Sequence, residues 1–383
     1  MSSSPKQTLN PPPHFRLDHL TGEDGETQYP YFTFNQPLEQ SQADDNEYRL
    51  IQLTNQLQAL VIHGPAKDTV QSAAALSVNV GNFADPKSLQ GLAHFCEHLL
   101  FMGTEKYPEE NDYGVYLNRH GGSSNAYTDN NNTNFHFQVN SDYFEGALDR
   151  FAQFFIAPLF NEDCTDRELK AVDSEHSRNR QNDMWRAFQV ERSLADPDHP
   201  FCNFGTGDIS TLKTVPEREG INVREELLKF HERYYSANLM RLVIYGRESL
   251  DQLTSWVVTK FSSVVNRNAP WPHYDTLPWK KEHMMRSIQV ESVQSNRHFS
   301  VEFPLARDFK PNYLCQPALY YSNLIGYEGE GSLLQYLKKK GWVVSLSAGD
   351  TAHDIFGFDM FSVFTQLTPE GLKHLDDILV ALF

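Results

Sequence analysis

Cysteine is scarce in this chain of 383 residues: Cys96, Cys164, Cys202 and Cys315 are scattered singly, and no CxxC pair occurs. That pattern excludes a disulfide framework and points to a reducing compartment. Long apolar runs are missing too, so the sequence offers no membrane span. Positive charge is short, with 33 Lys and Arg against 50 Asp and Glu, a net charge of -17 and a pI near 5.3. Such a balance argues against nucleic acid and anionic membrane surfaces, and favours solubility and cationic peptide stretches. The first residues lack an apolar core with a small-residue cleavage site, and they lack an Arg-rich amphipathic start. Neither a secretory nor a matrix-targeting leader is expected. The expected location is the cytosol, with mitochondrion or peroxisome as alternatives, and the sequon Asn131-Asn132-Thr133 carries no meaning there.

What the chain does contain is His94-Phe95-Cys96-Glu97-His98. The pentapeptide lies in a run of helix formers, 92–101, with no internal Pro or Gly. Its apolar residues fall at Leu92, Phe95, Leu99 and Leu100, and Gly103 follows as a stop. HxxEH on such a helix is the inverted zinc-protease motif. Residues four apart lie about 40° apart around a helix and about 6 Å apart along it, so His94 and His98 leave from one face and can grip one ion. Zinc takes neutral imidazole nitrogens, and its catalytic sites use three protein ligands with a fourth position for water. Glu97 shares that face without being committed to the metal, where it can take a proton from zinc-activated water attacking a carbonyl. For the third ligand, the residues alone leave Glu175, Asp173, His176, His120 and His136 open. Cys96 points to a different helical angle and reads as a packed small side chain.

The surrounding run Gly91-Leu92-Ala93-His94-Phe95-Cys96-Glu97-His98-Leu99-Leu100-Phe101-Met102-Gly103-Thr104 carries more than the motif. Further blocks follow at Gly122-Ser123-Ser124-Asn125-Ala126-Tyr127-Thr128, at residues 145–151 and 167–176, at Phe204-Gly205-Thr206-Gly207 and at residues 326–334. Together they resemble the pitrilysin/insulinase family of inverted zinc metallopeptidases, from roughly Glu47 to the last residue. The resemblance implies a zinc metalloendopeptidase, with one Zn2+ per chain, that cleaves short flexible peptides of the insulin-like or amyloid-like kind. In the family HxxEH is followed, after about 76 residues, by a glutamate that completes the metal site; here that position is Glu175. Carried over by position, the ligands are His94, His98 and Glu175, and the general base is Glu97. Glu168 matches the acidic residue seven before the third ligand, placed to hold a ligand His by its free ring nitrogen. Asn125 and Ala126 match the segment that pairs with extended substrate backbone by adding a strand to a sheet edge. Gly326, Gly329 and Gly349 fall in the region that anchors a peptide's N-terminus in relatives.

Along the chain, residues 1–46 read as a disordered tail, acidic and Pro-rich, with Pro11-Pro12-Pro13, a Ser cluster and no Lys or Arg between Glu23 and Glu47. Alternating apolar residues predict strands over 57–63, 73–80 and 134–139, and helical periodicity predicts helices over 92–101, 145–155 and 163–188. The fold class is α+β. The resemblance adds a mixed sheet with helices packed largely on one face, repeated as a second domain. The expected division is a catalytic domain over 47–268, a linker over 269–284 that includes Pro270-Trp271-Pro272, and a second, non-catalytic domain over 285–383. This second domain lacks HxxEH and is incomplete against longer family members. Two further readings stand beside the enzyme: a non-catalytic scaffold or subunit of the same fold, and a zinc-binding chain with little activity for want of a C-terminal half. The partners expected are peptide substrates, and either further copies of the chain or a separate C-terminal half.

Overall fold

The structure is a computed structural model, and it describes residues 9–22, 24–65, 69–274, 276–294, 296–305, 315–351 and 358–383. The chain divides into two compact units, residues 1–172 with 207–272, and residues 173–206 with 273–383.

The first unit is built on one eight-stranded sheet. Its strands are β1 (Phe15–Thr21), β2 (Gln28–Phe34), β3 (Glu47–Leu53), β4 (Gln58–His63), β5 (Gln71–Val78), β6 (Ser123–Thr128), β7 (Thr133–Asn140) and β8 (Met240–Gly246). Their spatial order is β1-β2-β3-β4-β8-β5-β7-β6. Among the described residues only β4 and β8 run parallel, so the sheet is mixed. Alternation decides which face is covered: Ala74, Leu76 and Val78 of β5, Phe135, Phe137 and Val139 of β7, and Leu242 and Ile244 of β8 are all buried in one core. Over that face lie α1 (Leu92–Leu100), α2 (Asp112–Arg119) and α3 (Phe144–Ile156), followed by α4 (Glu162–Asn179). After α5 (Asp183–Ser193), the chain returns through α6 (Val215–Glu219), α7 (Val223–Tyr234) and α8 (Leu250–Phe261). Phe144, Leu148 and Phe151 of α3 and Leu253, Val257 and Phe261 of α8 enter the same core, while Val243 on the opposite face stays exposed. The expected arrangement, helices largely on one face of a mixed sheet, is what forms.

The second unit holds α5 and, further on, β9 (His298–Leu305), α9 (Pro317–Ile325), α10 (Leu333–Lys339), β10 (Val343–Thr351), β11 (Asp359–Leu367) and α11 (Leu375–Leu382). Its sheet has the order β10-β11-β9, antiparallel throughout. Leu334 and Leu337 of α10 and Ile378 of α11 pack on Leu346 and Val363 of that sheet. The connectivity β9-α9-α10-β10-β11-α11 repeats β5-α1-α2-β6-β7-α3, and the strand pairings repeat with it.

Three expectations are corrected. The 1–46 segment is not a disordered tail over its described residues: β1 and β2 pair from Phe15↔Phe34 to Thr21↔Gln28, and β2 pairs with β3. Phe32 is buried, Leu20, Tyr29 and Tyr31 pack on the core, and the Phe15 and Phe34 rings meet at 5.3 Å. Aromatic burial and pairing thus outweigh the acidic and Pro-rich composition. The helix expected over 163–188 breaks after Asn179, and Asn182 caps α5 by accepting from the Met184 N–H at 2.9 Å. An Asx cap competes well with helix continuation, which is why a Pro- and Gly-free run still stops. Finally, residues 173–206 fall with the second unit rather than inside a continuous 47–268 domain, and that unit resumes at His273.

Candidate metal centre

Helix α1 begins from Gly91, whose φ of 92° is a left-handed conformation that suits glycine. Its first turn is held from outside by Asp85, which accepts from the Gly91 N–H at 2.7 Å and the Ala93 N–H at 2.8 Å. These are two of the N–H groups a helix start leaves unsatisfied, and a carboxylate there also meets the positive end of the helix dipole. Leu92, Ala93, Phe95, Cys96, Leu99 and Leu100 all enter the core. Among α1 residues only His94 and His98 are not buried. Packing therefore locks the helix and leaves two imidazoles, edge to face at 4.8 Å between ring centres and 85° between planes, pointing away from the core.

Helix α4 supplies the carboxylates. Leu169 and Val172 anchor it in the first core, and Glu168, the residue before Leu169, reaches the motif helix. Glu168 Oε2 stands 3.2 Å from His98 Nδ1, so the ring nitrogen that donates to it is Nδ1 and the one turned outward is Nε2. Glu175 continues on the same helix two turns later. One ligand atom each from His94, His98 and Glu175 lies within 4.8 Å of the others. Two imidazole nitrogens and one carboxylate oxygen form the donor set of a catalytic zinc site, so these residues fit that metal. Among the described residues no rival joins them. His120 stacks on Tyr143 at 3.6 Å, His136 Nδ1 lies 3.1 Å from Asn134 Oδ1, and His176 packs edge-on against Phe204.

Glu97 is a different kind of carboxylate. It is 6 % exposed, outside the ligand trio, and its Oε2 accepts from Thr128 Oγ1 at 2.6 Å. Burying a carboxylate is costly without partners, and a charge-assisted bond of this length offsets part of that cost. Thr128 closes β6, the last strand of the sheet order, which among the described residues is paired on one side only, with β7. Asn125 and Ala126 sit in the middle of this edge strand, Asn125 exposed and Ala126 packed against the core. Gly326 ends α9, and Gly349 lies in β10 opposite Ser362. Near each of them the Ser322 hydroxyl of α9 donates to the Ala348 carbonyl, while Gly329 lies in the turn before α10. Sequence reasoning missed Asp85 and Thr128. The only signals were an Asp-Pro step ahead of the helix and the period-two spacing that puts Thr128 on the Ala126 face.

Comparison with known proteins identifies the family. The insulinase (peptidase family M16) model matches residues 61–198, and the peptidase M16 inactive-domain model matches residues 222–383. The A-factor-processing enzyme of Saccharomyces cerevisiae is 49% identical over 92% of this chain and 34% of its own length. Human insulin-degrading enzyme is 47% identical over 90% of the chain and 34% of its own length. The chain thus spans about a third of the length of the curated relatives it matches. In the crystal structure of pitrilysin, 92% of this chain superposes on 37% of that one, with a TM-score of 0.83 and 31% identity. Family matches over both halves of the chain, relatives near half identical and a shared fold lead to one conclusion: the chain belongs to the insulinase family of peptidases, M16.

Proposed function

We propose that this chain carries the catalytic centre of a zinc metalloendopeptidase that hydrolyses peptide bonds in short flexible peptides, insulin-like or amyloid-like ones among them. The observation that supports it best is the division of labour around α1: His94, His98 and Glu175 converge, and the buried Glu97 beside them stays outside the trio. These three residues would hold one zinc ion. When bound, zinc polarises the scissile carbonyl and makes a water more acidic. Glu97 takes the proton of the attacking water and hands it to the departing amine, so one residue serves as base and then as acid. Glu168 keeps the His98 ring in the tautomer and orientation that metal binding needs. The open edge of β6, with Asn125 and Ala126, receives substrate backbone as an added strand. Gly326, Gly329 and Gly349 form an anchor for the substrate's N-terminus.

Four free cysteines suit a reducing compartment, which we take to be the cytosol. Among the described residues no helix is long and apolar enough to cross a membrane. A second reading is zinc binding with little turnover; the chain spans about a third of the length of the relatives it matches. Zinc analysis and a fluorogenic peptide assay, on the chain alone and with a C-terminal half added in trans, separate the two. Glu97→Gln should keep one zinc per chain and lose cleavage, and His98→Ala should lose both. Turnover retained in the Gln variant refutes the base assignment.

A further inference from the structure

The bond between Thr128 and Glu97 joins two elements that one short segment already holds together. Gly81 approaches the β6–β7 turn so closely that a Cβ there would stand 2.1 Å from the Asp129 carbonyl oxygen. The Asn82 and Phe83 N–H groups donate to the Asp129 and Asn130 carbonyls at 3.0 and 2.8 Å. Three residues later Asp85 takes the first N–H groups of α1. Residues 81–85 therefore fix the end of β6 and the start of the motif helix relative to each other. On the far side of the turn, Thr133, the register partner of Thr128, donates its hydroxyl to the Val80 carbonyl at 2.8 Å. Thr128 is thus delivered to Glu97 by a frame with little freedom, and its Oγ1 reaches Oε2 at 2.6 Å.

We propose that Thr128 is a positioning residue for Glu97: by donating to Oε2 it fixes the carboxylate in the orientation that takes the proton of the attacking water. The proposal rests on the metallopeptidase reading above. It adds that the strand offering its edge to substrate backbone also sets the base, so substrate and base are aligned by one element. A hydroxyl supplying a bond to a charged group is worth on the order of 10- to 100-fold in rate when the geometry it fixes is needed in the transition state.

The test uses the full chain and compares Thr128→Val, which keeps the shape and loses the donor, with Thr128→Ser, which keeps the donor. The Val variant should bind one zinc per chain and keep KM, while kcat falls by about 10- to 100-fold; the Ser variant should recover most of it. If the Val variant does not fold, Thr128→Ser against Thr128→Ala carries the same comparison, since these differ only in the hydroxyl. A readout without metal or turnover comes from urea midpoints of metal-free protein in a cycle of Thr128→Val, Glu97→Ala and the double variant. Val should shift the midpoint in the Glu97 background and leave it unmoved in the Glu97→Ala background. Additive midpoints, or a kcat for Val and Ala variants equal to that of Ser, overturn the positioning role. A wild-type chain that holds zinc yet cleaves nothing, alone or with the C-terminal half, overturns the metallopeptidase reading and the proposal with it.

Discussion

Removing Asp85 tests whether the motif helix depends on a residue outside it. Asp85 is itself 6 % exposed, and the two donors it satisfies, the Gly91 and Ala93 N–H groups, belong to buried residues. In Asp85→Ala both donors lose their carboxylate in a place that water reaches poorly. A single lost cap costs about 0.5–2 kcal/mol, and a hydrogen bond to a charged group about 1.5–3 kcal/mol. The two bonds share one carboxylate and do not add fully, so the expected loss is about 2–4 kcal/mol. Asp85→Asn keeps one carbonyl acceptor but gives up the second and the charge facing the helix dipole, for an expected loss of about 1–2 kcal/mol. Zinc affinity should fall in the same order, because His94 and His98 both ride on this helix. The assay is urea unfolding followed by far-UV circular dichroism, with zinc titration on the folded protein. An Asp85→Ala variant within about 0.5 kcal/mol of wild type would refute the claim that Asp85 holds the helix start.

How much of this could be read in advance depends on the range of the interaction involved. Helix α1 was legible because its apolar residues and its two His follow the helical period within ten residues, and β5 and β7 were legible because strands alternate. The pair β1 and β2 was not, since its stability comes from pairing with β3, from the burial of Phe32, and from Tyr29 and Tyr31 reaching a core assembled much later in the chain. Locally that segment shows acidic residues and prolines. The α4 break was hidden for a different reason, because Asn182 can be a cap or an ordinary helix residue and its Met184 N–H bond is made only once the turn exists. In the sequence only family resemblance separates Glu175 from Asp173 and His176, and in the fold its carboxylate lies within 4.8 Å of the His94 and His98 ligand atoms. Asp85 and Thr128 had only an Asp-Pro step and a strand alternation to mark them, because each acts through a bond that only the fold creates. Thr128 lies 31 residues from Glu97 in sequence.

Two further expectations concern groups away from the metal centre. Cys96 is fully buried, and burial pushes its thiol well above the ordinary range, whereas Cys315 is exposed. Native-state alkylation by iodoacetamide, read by mass spectrometry, should label Cys315 at least about tenfold faster than Cys96, and rapid Cys96 labelling would mean that α1 opens readily. In the second unit, burial first and the neighbouring Glu302 carboxylate second raise Glu191 from an ordinary 4.5 to about 7. The folded chain then holds a proton between pH 4.5 and 7 that the unfolded chain has released, so this contribution to stability is fully present below about 4.5 and is lost as pH rises through 7. At about 1.4 kcal/mol per pH unit the loss reaches at most about 3.5 kcal/mol. Glu191→Gln, neutral at every pH and nearly the same shape, removes that slope while leaving every other titrating group in place. Urea midpoints between pH 5 and 8 should therefore fall more steeply for the wild type than for the variant, and parallel curves would show that Glu191 is ionised in the folded chain throughout.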